Sequence, residues 1–225
     1  MARWSGLRGV PLVVVAALAL VACGGGAGAE GDNRFVSAGQ LCGGAFQGEA
    51  VSALETVTGA KLFFPHSEGE GVSSTASALT DDFRKGAPGV PSPGDRTMCS
   101  VYVKGGGDLT DARLRFALHD EWELLGGDLA PSLHPYSMGK QALAGVKRSY
   151  LYFECVSPAL PGSKGRPALV GGELSDRYPP DVDSRPLREA SLIVLHSASR
   201  ALAVALGCER GGGLPEKPVL VPRRG

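Results

Sequence analysis

The amino-acid sequence predicts an α+β domain, in which an antiparallel sheet of two hairpins packs against helices that include a long C-terminal helix. Two pairs of segments, at 99–118 and 150–174, alternate apolar and polar residues on either side of a glycine-containing turn. A longer segment at 187–206 instead places apolar residues three and four apart. The first pattern is typical of strands with one buried face, and the second of an amphipathic helix. Strands and helices that are segregated along a chain favour the α+β class.

The N-terminal segment has the features of a secretory signal peptide. Arg3 and Arg8 provide a basic start, and the apolar core at 10–22 contains thirteen residues. That length suits a signal peptide, whereas a membrane-spanning helix needs about 20 residues. The core ends in four residues that resemble the lipobox of bacterial lipoproteins: Leu20, Val21, Ala22 and Cys23. We therefore predict a lipoprotein signal peptide at 1–22 and a lipid anchor on Cys23.

A second cleavage site remains open. The tripeptide Ala27-Gly28-Ala29 matches the small-residue pattern of ordinary signal peptidase, and a cut there would discard Cys23 and release a freely secreted protein. Ordinary cleavage directly before Cys23 is disfavoured, because bulky Leu20 would occupy the −3 position. The lipoprotein interpretation is favoured because Cys23 directly follows the apolar core. Two acyl chains on the cysteine would anchor the protein stably to a membrane.

The mature chain is predicted to have three parts. A Gly-rich tether at 23–34 connects the anchor to a disulfide-linked α+β domain at 35–210, and an extended tail follows at 211–225. Of the 23 basic residues two lie in the signal peptide, so 21 remain against 23 acidic residues, a net charge of −2. This balance provides no basic surface for nucleic acid, and we predict no nucleic-acid partner.

Four cysteines remain beyond the anchor, and an even number in an exported domain predicts two disulfides. Cys42–Cys99 and Cys155–Cys208 are favoured, because they close loops of similar span, 57 and 53 residues. The alternative that joins Cys99 to Cys155 and Cys42 to Cys208 stays open. No two of these cysteines have the C-x-x-C spacing of a metal or redox pair.

Two helices are predicted in the N-terminal half of the domain. Apolar residues recur at spacing three in 49–57, and Gly59 provides the stop. The second helix is predicted at 74–85, where Leu79 and Phe83 are four apart. Residues 86–96 are rich in proline and glycine and predict a loop.

The two hairpins follow. In the first, Cys99 and Val101 begin an alternating run that resumes at 112–118 after the turn at 105–108. The second runs from 150–155 through the turn at 161–165. Both are predicted to have one solvent-exposed face. Residues 124–141 are punctuated by glycine and proline and predict irregular structure, and 177–186 predicts a connector.

The last element is the long helix at 187–206. Ser184 is the expected N-cap, Pro186 lies in the first turn, and Gly207 is placed to end the helix. Its apolar arc is wide, which predicts packing across the sheet.

The sequence contains no motif for nucleophilic, phosphate-binding or dinucleotide-binding chemistry, and we predict no catalytic residue, metal ligand or cofactor. The strongest cluster for chemistry is His119-Asp120-Glu121-Trp122-Glu123. If the strand continued, His119, Glu121 and Glu123 would share one face and could bind a metal. The favoured interpretation is a solvated strand end.

The other histidines, and the tyrosines that could form a binding surface, are isolated in the sequence. His66, His134 and His196 have no partner motif, and His196 is expected to pack or cap within its helix. The tyrosines predicted on the polar strand faces are expected to form ordinary cross-strand pairs: Tyr102, Tyr150 and Tyr152.

Several short motifs surround the domain cysteines. They are Leu41-Cys42-Gly43-Gly44, Cys99-Ser100-Val101-Tyr102, Phe153-Glu154-Cys155 and Ala205-Leu206-Gly207-Cys208-Glu209 with Leu214-Pro215. Together with the lipobox, they resemble uncharacterised secreted lipoproteins of actinobacteria. The resemblance covers most of the mature chain and implies disulfide-bonded domain cysteines and an anchor at Cys23. It implies no functional residues beyond these.

These observations favour a non-catalytic lipoprotein, anchored through lipidated Cys23 to the extracytoplasmic face of the cell membrane. We expect it to bind a small ligand or an envelope protein. Two alternatives remain: an envelope hydrolase or metal-dependent enzyme that uses His119 or His134, and a structural accessory of a membrane complex.

Overall fold

The fold is built on one antiparallel sheet of six strands, in the order β1-β2-β6-β5-β4-β3. The structure is a computed structural model and describes residues 34–86, 95–125 and 129–223. The strands are β1 (Arg96–Val101), β2 (Ala112–His119), β3 (His134–Tyr136), β4 (Gln141–Ala144), β5 (Arg148–Cys155) and β6 (Ala168–Asp176). The helices are α1 (Glu49–Thr58), α2 (Val72–Lys85), α3 (Trp122–Leu125) and α4 (Arg185–Ala205). The α+β class is confirmed.

Both predicted hairpins are present and lie side by side. β1 pairs with β2 and β5 with β6, and the two hairpins join where β2 pairs with β6 along its whole length. The alternation in the sequence places Phe116, Leu151 and Val170 in the buried core. Side chains one position away in each strand point to the opposite face, as the period of a strand requires.

The segment at 124–141 is more regular than predicted. It contains the end of α3, the whole of β3 and the first residue of β4, which extend the sheet beyond the two hairpins. These strands have three and four residues, too short to show an alternating pattern. Pro135 lies within β3, and proline is tolerated there because β3 is an edge strand of the sheet.

The first hairpin is less solvated than predicted. Ser100 was expected on an exposed face but is 7% exposed. The carboxylate of Glu70 covers it, accepting hydrogen bonds from the Ser100 hydroxyl at 2.7 Å and the Ser100 N–H at 2.8 Å. A loop residue thirty positions earlier therefore satisfies the polar groups that the strand would otherwise present to water.

The helix predictions are confirmed with small shifts. α1 and α2 end near the predicted stops, and α2 begins two residues early, at Val72. α4 follows Ser184, carries Pro186 in its first turn and ends directly before Leu206 and the left-handed Gly207. α4 packs on the sheet, and α1 and α2 pack against α4. No helix among the described residues is long and apolar enough to cross a bilayer.

The four domain cysteines form two disulfides, in the favoured connectivity. Cys42 is bonded to Cys99 with Cα atoms 5.3 Å apart, and Cys155 to Cys208 with Cα atoms 5.0 Å apart. Both separations lie within the usual range for disulfides. The first bond joins the 3-10 turn Ala38–Gly43 to β1, and the second joins the end of β5 to the chain after α4.

The segment predicted as an extended tail is extended only after its first residues, and it lies against the sheet. A 3-10 turn at Glu209–Gly213 comes first, and Leu214 is then buried. Further along, the Ser137 N–H donates to the Val221 carbonyl at 2.9 Å, and the Arg223 N–H donates to the Pro135 carbonyl at 2.8 Å. The segment thus covers the free edge of β3, which would otherwise present unpaired backbone groups.

Candidate functional site

A groove lies on the outer surface of the helix layer, between α4, the first turns of α1 and α2, and the chain after α4. Its volume is about 530 Å³, within the range of small-molecule sites. Its floor is apolar, because α4 contributes Ile193, Ala201 and Val204 to it. Val204 is 70% exposed. A concave surface of this composition favours a ligand with an apolar body.

Two helices begin at the rim of the groove. Both have glycine as N-cap, Gly48 for α1 and Gly71 for α2, and neither N-cap provides a side-chain hydrogen bond to its helix. First-turn residues of both helices, Ala50 and Ser73, line the groove. In α1 the Ala50 and Val51 N–H groups donate to the Gln47 and Gly48 carbonyls at 3.0 and 3.3 Å, so it is the positive end of the helix dipole, rather than a set of free donors, that gives this rim a preference for anionic atoms.

Ser197 fixes one wall of the groove. Its hydroxyl donates to the Ala45 carbonyl at 2.8 Å and accepts from the Gln47 N–H at 3.2 Å. These bonds tie the loop before α1 to the middle of α4, across 150 residues of sequence. The wall is therefore held in place by the same helix that supplies the floor.

His196 and Arg200 hold the opposite wall. His196 is 3% exposed, and its Nε2 lies 2.9 Å from the Pro215 carbonyl oxygen. Burial lowers the pKa of His196, and because the Pro215 carbonyl oxygen can only accept, Nε2–H is the donor in this bond. Arg200 Nη1 donates to the same carbonyl at 2.8 Å. Together they position the chain that carries Glu216 into the groove.

The groove contains charges of both signs. Arg200, Glu49 and Glu216 line it, and none of the three forms an ion pair with any residue that the structure describes. Their charges are therefore available to the polar end of a ligand.

His196 and Ser197 line the groove and are the residues there whose types recur in nucleophilic catalysis. His196 and Ser197 are neighbours on one helix and do not face each other. The Ser197 hydroxyl is engaged by the loop before α1, and the His196 Nε2–H by Pro215. A nucleophile needs a base within hydrogen-bond distance, and these two residues do not form such a pair.

The opposite face of the sheet has a much smaller depression, of about 40 Å³. Its floor is Ala117 and Gly171, which are paired across β2 and β6. A Cβ atom on Gly171 would lie 2.6 Å from the His119 ring and 2.7 Å from that of Tyr152, so only glycine fits between them. Burial raises the pKa of Tyr152 to about 12. The depression is too small for an organic substrate.

The metal hypothesis for the cluster at 119–123 is wrong in its geometry. β2 ends at His119 and the chain turns into α3, so the strand does not continue. His119 Nδ1 lies 2.7 Å from Glu123 Oε2, but Glu121 turns away and lies 3.3 Å from Lys140. Burial acts to raise the pKa of Glu123, but hydrogen bonds involving His119 and the Asp120 N–H outweigh it and lower that pKa. No three metal-binding side chains converge within the described residues.

The remaining histidines lie apart from one another. His134 is exposed at the sheet edge, with Nε2 3.4 Å from Asp183 Oδ2. His66 accepts a hydrogen bond from the Cys42 N–H at 3.2 Å, which is a structural role. Neither lies in the groove or in the small depression.

The predicted anchor, Cys23, lies outside the described residues, as do the signal peptide and almost all of the tether. The four domain cysteines serve the fold as disulfides. The groove itself was not predicted from the sequence. Its signal was the width of the apolar arc of α4: Ile193 and Ala201 are only partly buried against the core, and Val204 is exposed.

Comparisons of the chain with protein families, with curated proteins and with solved structures find no match.

Proposed function

We propose that this chain is a lipoprotein anchored through acylated Cys23 on the extracytoplasmic face of the cell membrane, and that it binds a small amphipathic molecule without chemical change. The groove of about 530 Å³ carries this proposal. Its apolar floor on α4 receives the body of the ligand, and Arg200 with the two glycine-capped helix starts receives its polar end. The signal sequence and the two disulfides support an extracytoplasmic location.

A pair of fluorescent probes tests the groove. 1-Anilinonaphthalene-8-sulfonate is apolar with an anionic group, and N-phenyl-1-naphthylamine is a neutral analogue. We expect saturable binding of both probes to the folded protein. Val204→Glu should weaken binding of the sulfonate probe about tenfold, because it removes an apolar contact between Val204 and the probe and adds a negative charge. Val182→Glu is the control: Val182 is also 70% exposed but lies in the connector before α4.

The polar end is tested by Arg200→Gln, which keeps a donor for the Pro215 carbonyl. We expect Arg200→Gln to weaken binding of the sulfonate probe about fivefold and to leave binding of the neutral probe unchanged, because only the sulfonate interacts with the charge of the guanidinium. Equal effects of Val204→Glu and Val182→Glu, or the absence of saturable binding, would contradict the proposal.

A further inference from the structure

An exposed apolar patch lies where the folded domain joins the segment that leads to Cys23. Three short extended stretches meet there: Val36 bridges to Phe63, and Phe63 to Val103. Phe63 is fully buried, so its neighbours Leu62 and Phe64 point outward and are 45% and 39% exposed. We call the surface formed by Phe35, Leu62, Phe64 and Lys104, together with exposed Lys61, which precedes Leu62 in the chain, the entry patch.

Aromatic rings and lysines are interleaved in the entry patch. The rings of Phe35 and Phe64 pack with centroids 4.8 Å apart, and Lys104 Nζ lies 4.6 Å from the centroid of Phe35. Lys61 and Lys104 are both exposed, and neither forms an ion pair with a residue in the described ranges. Aromatic residues with adjacent lysines are typical of surfaces that lie at the headgroup level of a membrane.

The length of the connecting chain limits the distance between the entry patch and the membrane. Residues 24–34 separate Cys23 from Phe35, and even a fully extended chain of that length reaches only about 40 Å. If Cys23 is acylated, the entry patch is the first surface of the folded domain that follows the anchor along the chain. A weak surface contact is then favoured, because the anchor keeps its local concentration high.

We infer that the entry patch docks onto a membrane surface that contains anionic phospholipid and so orients the domain, with Leu62 and Phe64 among the headgroups and Lys61 and Lys104 on lipid phosphates. This inference rests on the proposed anchor at Cys23. The groove is lined by different residues and would remain accessible to a ligand.

Lysine acetylation of the mature lipoprotein tests the inference. The protein is reconstituted in vesicles of phosphatidylcholine alone, or with three parts in ten phosphatidylglycerol, and treated with a membrane-impermeant acetylating reagent before mass spectrometry. On the anionic vesicles, we expect Lys61 and Lys104 to react about fivefold more slowly than on the neutral ones. Lys164 is the internal control: it is exposed in the turn between β5 and β6, and its rate should not change.

A matched pair of variants tests the apolar part. Leu62→Ser should abolish most of the protection of Lys104, whereas Leu129→Ser should leave it intact. Leu129 is 43% exposed and lies before β3, at the other edge of the sheet from β1. Equal acetylation of Lys61 and Lys104 on both vesicles overturns the inference. Protection that appears only in intact cells also overturns it, in favour of a protein partner.

The N-terminal peptide of the same digest reports the anchor separately. Acylated Cys23 with unprotected lysines overturns the entry patch alone. An N-terminus at Glu30 overturns the patch together with the proposed anchor.

Discussion

Asp176 is a buried carboxylic acid at the end of β6. It is 9% exposed, as is Asp111, which lies beside it at the start of β2. Burial, with a smaller contribution from the charge of Asp111, raises the pKa of Asp176 to about 6, although a hydrogen bond from the Tyr178 N–H opposes the shift. Between about pH 4 and pH 6, the Asp176 carboxyl is therefore protonated in the folded state but ionised in the unfolded chain.

The sign of the pH effect follows from this difference. The stabilisation from protonated Asp176 is complete below about pH 4 and is lost as the pH rises through about 6. Asp176→Asn, whose amide oxygen still accepts from Tyr178, should raise the free energy of unfolding at pH 7.5 by about 1–3 kcal/mol. Near pH 4 the two proteins should have equal stability. Urea unfolding at both pH values measures this difference, and a gain that does not depend on pH would contradict it.

Single side chains show what sequence alone could not predict. His119 and Glu123 do meet, but through a helical turn, because β2 ends at His119. Arg200 gave no signal in the sequence, since its role depends on the chain at 214–216 returning to α4. In contrast, Pro186 and Gly207 lie at the ends of α4 as predicted, because helix ends depend on local backbone geometry; Ser184 is the N-cap residue, but its side chain forms no hydrogen bond to the helix.

The chain after α4 is the element whose position matters most for the groove. Leu214 is 5% exposed and joins the core, and the carbonyls of Leu214 and Pro215 accept from Arg200. Beyond it the chain lies along β3. The sequence predicted its extended conformation, but glycine and proline content alone gave no indication that it packs on the sheet.

Leu214→Ala tests this element. Loss of a buried leucine should lower the free energy of unfolding by about 2–4 kcal/mol. Val221→Ala should cost less than about 0.5 kcal/mol, because Val221 is 57% exposed. Urea unfolding of the two variants measures the difference, and equal stabilities would mean that this segment does not belong to the folded unit.

The disulfides connect elements that are distant in sequence, across spans of 57 and 53 residues. A disulfide stabilises the fold by lowering the entropy of the unfolded chain, and for loops of this size each bond should contribute about 4 kcal/mol to stability. This entropy depends only weakly on loop length, so the two contributions should be similar. The double variants Cys42→Ser/Cys99→Ser and Cys155→Ser/Cys208→Ser should therefore be destabilised by similar amounts. Chemical denaturation measures both. A nonreduced peptide that joins Cys42 to Cys208 would instead show the other connectivity.

Across the whole molecule, the long periodic elements could be predicted from the sequence, whereas the short strands and the groove could not. The two hairpins and α4 were predicted because their periods extend over six or more residues in every strand and over 21 residues in α4. β3 and β4 were missed because strands of three and four residues carry too little pattern and form through pairing with β5. The groove is a product of packing, as it forms only when α1, α2 and the C-terminal chain surround α4.

The proposed account of the whole molecule places a disulfide-linked binding domain on a lipid anchor. The groove faces away from the sheet and the entry patch lies at the N-terminal junction, on different residues. Ligand binding and membrane contact therefore use separate surfaces, and variants in one should leave the other unchanged.

The mass of the native N-terminus tests the central claim most directly. The protein is extracted from the membrane fraction of cells that express the full chain, and its N-terminal peptide is measured by mass spectrometry. We expect a peptide that begins at Cys23 and carries the mass of a diacylglyceryl group. A soluble protein in the culture medium whose first residue is Glu30 would contradict it.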